Sequence, residues 1–150
     1  MSETKKAASR DTVLARLRAI CTALPEANER ISHGEPTWFA GKGKVFAMFD
    51  DHHHGALHVS VWLPMAPGAQ AELVASDPGR YFRPPYVGPS GWVGVVLDTS
   101  PNWDLVGELV RDAFLHVATK KLQARLSVAT PSPEVAAAPR SNTRRAKPRG

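Results

Sequence analysis

The stretch ALHVSVWL, residues 56–63, constrains this chain more than any other. Leu57, Val59, Val61 and Leu63 fall on one side of a period of two, and Ala56, His58, Ser60 and Trp62 on the other. That period belongs to a β-strand, where successive side chains point to opposite faces. The chain is therefore expected to contain a sheet with at least one face committed to a core. Four further short runs carry the same β character: ERIS, PTWFA and KVFAMF before this stretch, and GWVGVVLD after it. KVFAMF is apolar at both phases, as in a central strand covered on both sides. AGKGK places glycines where a tight hairpin needs positive φ, and DDHHHG links the third run to the fourth, so a meander is expected.

Helical spacing brackets these strands. Val13, Leu14, Leu17, Ile20, Cys21 and Leu24 form an apolar stripe that predicts a helix capped by Ser9 or Asp11 and ended near Pro25. Cys21 falls on that stripe and reads as a buried structural thiol. Residues 67–76 predict a short middle helix. Leu105, Val106, Leu109, Val110, Phe114 and Val117 predict a C-terminal helix capped by Ser100 or Asn102, with Lys120, Lys121 and Arg125 crowding its last turns. The expected class is α+β: an antiparallel sheet of about five strands with an N-terminal, a short middle and a C-terminal helix.

Domain organisation follows from where this pattern stops. Residues 1–8 read as a flexible N-terminus, 9–128 as one domain, and 129–150 as a disordered basic tail rich in Pro and Ala. With one cysteine, no signal-peptide pattern and no run of 18 apolar residues, a cytoplasmic protein without membrane contact is expected. The formal charge of +5 suggests nucleic acid, but its distribution matters more than its sum. Residues 1–10 carry +2 and residues 131–150 carry +4, which leaves 11–130 at −1. A strongly basic folded body is excluded.

The motifs support binding over catalysis. His52, His53 and His54 are adjacent and diverge, and in an extended strand His54 and His58 would lie about 13 Å apart at about 3.3 Å per residue. A solvated turn is expected there, with no metal and no cofactor. GPSGWVG leads into a strand and GKGK lacks the Walker spacing, so both read as turn glycines. No Ser-His-Asp arrangement, His-Glu-x-x-His motif or acid pair marks an enzyme.

Three segments, LPEANERISHGEPTWFAGKGKVFAMF, PPYVGPSGWVGVVLD and LVRDAFLHVATKKL, resemble the MmcQ/YjbR family of small bacterial α+β proteins, in the family's order and spacing from about Leu24 to Leu126. The triple histidine lies outside the resemblance. The resemblance implies an antiparallel sheet with helices at start, middle and end, related in architecture to secretion chaperones. It also implies a DNA-binding role of the double-wing kind, and it brings no catalytic residue.

Within that frame Lys42, Lys44, Arg80 and Arg83 are the body's candidates for phosphate contact. Arg140, Arg144, Arg145, Lys147 and Arg149 in the tail would bind without sequence preference. His33, Glu35, Trp38, Tyr86 and Trp92 are candidates to line a small-molecule pocket. A protein-interaction or chaperone-like role, using an exposed sheet face or the Pro/Tyr segment, is the remaining alternative.

Overall fold

The computed structural model describes residues 2–51 and 58–129, with side chains described over 10–51 and 58–126. In chain order the elements are α1 (Ser2–Thr22), β1 (Ala27–Ser32), β2 (Glu35–Ala40), β3 (Val45–Asp51), β4 (Val59–Leu63), α2 (Ala69–Ser76), β5 (Tyr81–Phe82), a 3-10 turn (Gly88–Ser90), β6 (Val93–Val96), α3 (Trp103–Val117) and α4 (Lys120–Ala129). All strands pair antiparallel in one sheet of order β1-β2-β3-β4-β6-β5. The α+β class is as expected. The sheet has six strands where about five were expected, because Tyr81 and Phe82, inside a proline-rich stretch without periodicity, pair with Val95 and Gly94.

Local chemistry explains the turns. His33 and Gly34 both have positive φ, 55° and 83°, the two-residue hairpin geometry that matches strand twist. In the next hairpin only Gly41 has positive φ, at 60°; Gly43 instead donates its N–H to the Ala40 carbonyl. The β2–β3 register then slips by one residue, since Trp38 faces Ala47 while Phe39 faces Val45, and Phe46 is the extra residue of the bulge. This bulge delivers Phe46 to the helices, where its ring meets Phe114 edge-on at a centroid distance of 5.2 Å.

The core lies between one sheet face and the helices. Val13, Leu14, Leu17 and Cys21 of α1 and Val106, Leu109, Val110 and Phe114 of α3 pack with Trp38, Phe49, Val61, Leu63 and Val95. Burial pushes the Cys21 thiol well above its ordinary range, with the nearby Glu29 carboxylate adding to the shift, which suits an inert core residue.

Two helix boundaries differ from expectation. α1 begins at Ser2, upstream of Ser9 and Asp11, so neither of them caps it; Glu3, Lys5, Lys6, Ala7 and Ala8 are all good helix formers. The C-terminal helix is two helices. Asn102 caps α3 by accepting from the Leu105 N–H at 3.2 Å, Ala118 turns extended, and the Thr119 hydroxyl accepts from Leu122 N–H to start α4. Lys120 and Lys121 thus open a helix instead of closing one.

Glu29 ties α1 to the sheet. Its carboxylate receives Arg18 Nε and Nη2 at 2.8 Å each and the Trp38 indole N–H at 3.2 Å. The Arg18 hydrogen bonds, against a smaller opposing effect of burial, hold the Glu29 carboxyl below its ordinary range. A depressed folded-state value contributes stability above the unfolded-state value, lost as pH falls through the folded one. Glu29→Gln, which keeps an acceptor for Trp38, is therefore expected to flatten the loss of stability below about pH 4.5. Urea unfolding of both proteins at pH 7 and pH 3 measures it.

Candidate functional site

Antiparallel pairing gathers two groups of charged residues at opposite ends of the sheet. At one end β3 finishes in Asp51 and β6 leads into Asp98. Glu35 Oε2 accepts the Asp51 backbone N–H at 3.0 Å, Arg10 bonds Asp51 through Nε, and its Nη2 lies 3.9 Å from Glu35. Asp98 accepts the Val59 N–H at 3.0 Å and meets His58 Nδ1 at 3.1 Å. This end is rich in carboxylates.

The other end is basic. Lys42 and Lys44 are exposed on the β2–β3 turn, and α4 packs its first turn onto that turn: a Cβ on Gly41 would come within 3.2 Å of Leu122 Cδ1. Lys120 and Lys121, both exposed, immediately precede Leu122. Glu26, also beside Gly41, is ion-paired with Arg125.

A cleft of about 410 Å³ opens at this end, where β3 starts, β4 finishes and α3 finishes. Lys44, Ser90, Trp92 and His116 supply its polar side chains, and Val45, Pro64, Met65 and Val117 its apolar walls. Gln70 of α2 bonds the Gly88 and Trp92 carbonyls and so fixes the segment that carries Ser90 and Trp92.

The residues singled out from sequence are scattered. Lys42, Lys44 and Trp92 come together at the basic end, and Arg83 is exposed beside Gly88 of the 3-10 turn. Arg80 lies at the other end of β5, where its Nε is 3.2 Å from Asp77. Of the proposed pocket set, only Trp92 lines the cleft. Trp38 is fully buried in the core, and Glu35 belongs to the carboxylate-rich end. His33 sits in an exposed hairpin with Nδ1 3.1 Å from Ser32 Oγ, a contact between neighbours in a turn. Tyr86 is 77% exposed. His52, His53 and His54, and the tail residues Arg140, Arg144, Arg145, Lys147 and Arg149, lie outside the described residues.

Among the described residues no three His, Cys, Asp or Glu side chains gather as a metal site, and no helix is long and apolar enough to cross a membrane. Ser90 and His116 were not singled out from sequence. Each sits in an ordinary local context, a Gly-Pro-Ser turn and a helix end, and only the tertiary fold brings them to Lys44.

The comparisons agree with this architecture. A search of curated proteins finds no match. Among solved structures, the Deinococcus radiodurans protein DR2400, assigned to the domain family DUF419, superposes with a TM-score of 0.58 at 23% identity, covering 74% of this chain and 85% of that one. At that identity the likeness concerns the fold. The YjbR family model matches residues 22–116, from the end of α1 to His116 of α3. That span is more than half of the sequence, and the chain belongs to the YjbR family.

Proposed function

We propose that this chain is a cytoplasmic, non-enzymatic binding protein whose basic end meets the phosphate backbone of DNA, with the tail arginines and Lys147 adding affinity without sequence preference. One observation carries the reading: Lys42, Lys44, Lys120 and Lys121 gather at one end of a body, residues 11–130, that is otherwise slightly acidic. Concentrated positive charge on one surface attracts a polyanion even when the net charge is near zero. Among the described residues no helix offers a row of base-reading Arg, Asn or Gln to a groove, so the proposed contact is to backbone.

Titrating labelled duplex at several salt concentrations tests it. Each lost phosphate contact lowers the slope of log K against log salt by about 0.9, so Lys42→Ala/Lys120→Ala/Lys121→Ala in the full chain is expected to lower it by about 2.7. An unchanged slope means that Lys42, Lys120 and Lys121 do not touch the duplex and overturns the basic end as its contact surface.

A protein-interaction or chaperone-like role draws on Ile31, 69% exposed on the edge strand β1. Such an edge presents unpaired backbone groups to a partner. A partner retained at high salt and lost on Ile31→Glu would favour it.

A further inference from the structure

We propose that the cleft at the basic end is a binding site for a small phosphate monoester attached to a planar ring. The first support is the chemistry of its lining. Lys44 offers an ammonium, Ser90 a hydroxyl, Trp92 an indole N–H and His116 an imidazole, and none of the lining residues is a carboxylate. A ligand that satisfies this set is rich in acceptors and negatively charged.

The second support is that these groups have no other employment. Among the described residues Lys44 and His116 make no ion pair, and the Ser90 hydroxyl and Trp92 indole N–H make no hydrogen bond. By contrast, the Trp38 and Trp62 indoles are engaged with Glu29 and Ser60. Two side chains able to carry positive charge match the double charge of a phosphate monoester better than the single charge of a carboxylate.

The third support is shape. About 410 Å³ falls within the range of small-ligand sites, and Trp92, Pro64, Met65 and Val117 give a ring an apolar surface beside the anion subsite. The site is rigidly framed. Val45 belongs to a paired strand, Pro64 directly follows another, and Gln70 pins the backbone at Gly88 and Trp92.

This site is distinct from the duplex contact, although Lys44 stands at the border of both. The test uses the full ¹⁵N-labelled chain, with AMP and phenyl phosphate as probes and adenosine and inorganic phosphate as partial ligands. The Trp92 indole N–H resonance, assigned by its loss in Trp92→Phe, is expected to shift saturably with both probes, at least tenfold more tightly than with adenosine or inorganic phosphate. Lys44→Ala and His116→Ala, both at exposed side chains, are each expected to weaken the probes about tenfold with an unchanged unfolding midpoint.

No saturable Trp92 shift with either probe up to about 10 mM overturns the site. Equal affinity for inorganic phosphate, or binding indifferent to both substitutions, overturns it as well. Lys42, Lys120 and Lys121 remain intact throughout, so failure here leaves the salt-dependence test of duplex binding standing.

Discussion

Phe114→Ala is expected to destabilise the fold by about 3–5 kcal/mol, a large part of the roughly 5–15 kcal/mol that holds a domain of this size together. Phe114 is fully buried on α3, and its ring meets the Phe46 edge at 86° and 5.2 Å. Truncation removes the transfer energy of a whole aromatic ring. It also leaves a cavity facing the one residue that a β-bulge places there. Such aromatic pairs add about 0.5–1.5 kcal/mol beyond area, so the double variant Phe46→Ala/Phe114→Ala should cost less than the sum of the single ones. Urea unfolding measures this. With a slope of about 1–3 kcal/mol/M, the Phe114→Ala midpoint falls by on the order of 2 M. Ile31→Ala, at an exposed position, is expected to move stability by no more than about 0.5 kcal/mol and serves as the control. A Phe114→Ala cost below 1 kcal/mol would mean that α3 is not docked on β3 as described.

The parts of the fold legible in the sequence were those with a period. The alternation Val59, Val61, Leu63 predicted a core-facing strand, and all three are buried. The stripe from Val13 to Cys21 predicted the buried face of α1. Elements defined by pairing rather than period were not legible. β5 has two residues, too few to show alternation, and its strand character comes from hydrogen bonding to β6. The break at Ala118 was hidden because Leu122 and Leu126 continue the apolar spacing of α3, and both are buried. The Thr119 hydroxyl, which restarts the helix, reads locally as one more polar residue.

The candidate site divides in the same way. Lys42 and Lys44 were recognisable as hairpin lysines and Trp92 as an aromatic near a strand start. The meeting of Lys44 and Trp92 with His116 and Ser90 depends on the ends of β3, β4 and α3 converging, and no local spacing encodes that. Conversely, Trp38 and Glu35 were pocket candidates because they lie in the segment that most resembles the family, and such residues can equally fill a core or hold a strand end. In the fold, Trp38 fills the core under Glu29, and Glu35 holds the β3 end at Asp51.

The second large effect concerns the sheet face turned away from Val61. The alternation identified that face only as the other side, yet Trp62 is just 2% exposed and Ser60 is fully buried. Register explains part of this. Trp62 pairs with Met48 on one side and with Gly94 on the other, and Gly94 pairs in turn with Phe82. The Phe82 ring lies over Gly94 so closely that any Cβ there would overlap it, so glycine makes room for an aromatic residue from the edge strand. The Trp62 indole N–H, which would be costly to bury unpaired, is donated to Ser60 Oγ at 3.1 Å.

Trp62→Ala is therefore expected to cost about 3–5 kcal/mol, comparable to a loss from the helix-facing core and far above the roughly 0.5 kcal/mol typical of a surface site. Trp62→Phe keeps most of the ring area but leaves Ser60 Oγ without its indole donor and should cost less. Gly94→Ala forces the Phe82 ring aside, at about 1–3 kcal/mol. Because the two residues share one contact, Phe82→Ala should relieve much of that penalty in the double variant. Urea midpoints for the set decide the matter. A Trp62→Ala cost near that of Ile31→Ala would make this face an open surface and restore it as a docking platform. A cost near that of Phe114→Ala makes it a second packed layer, closed to a partner.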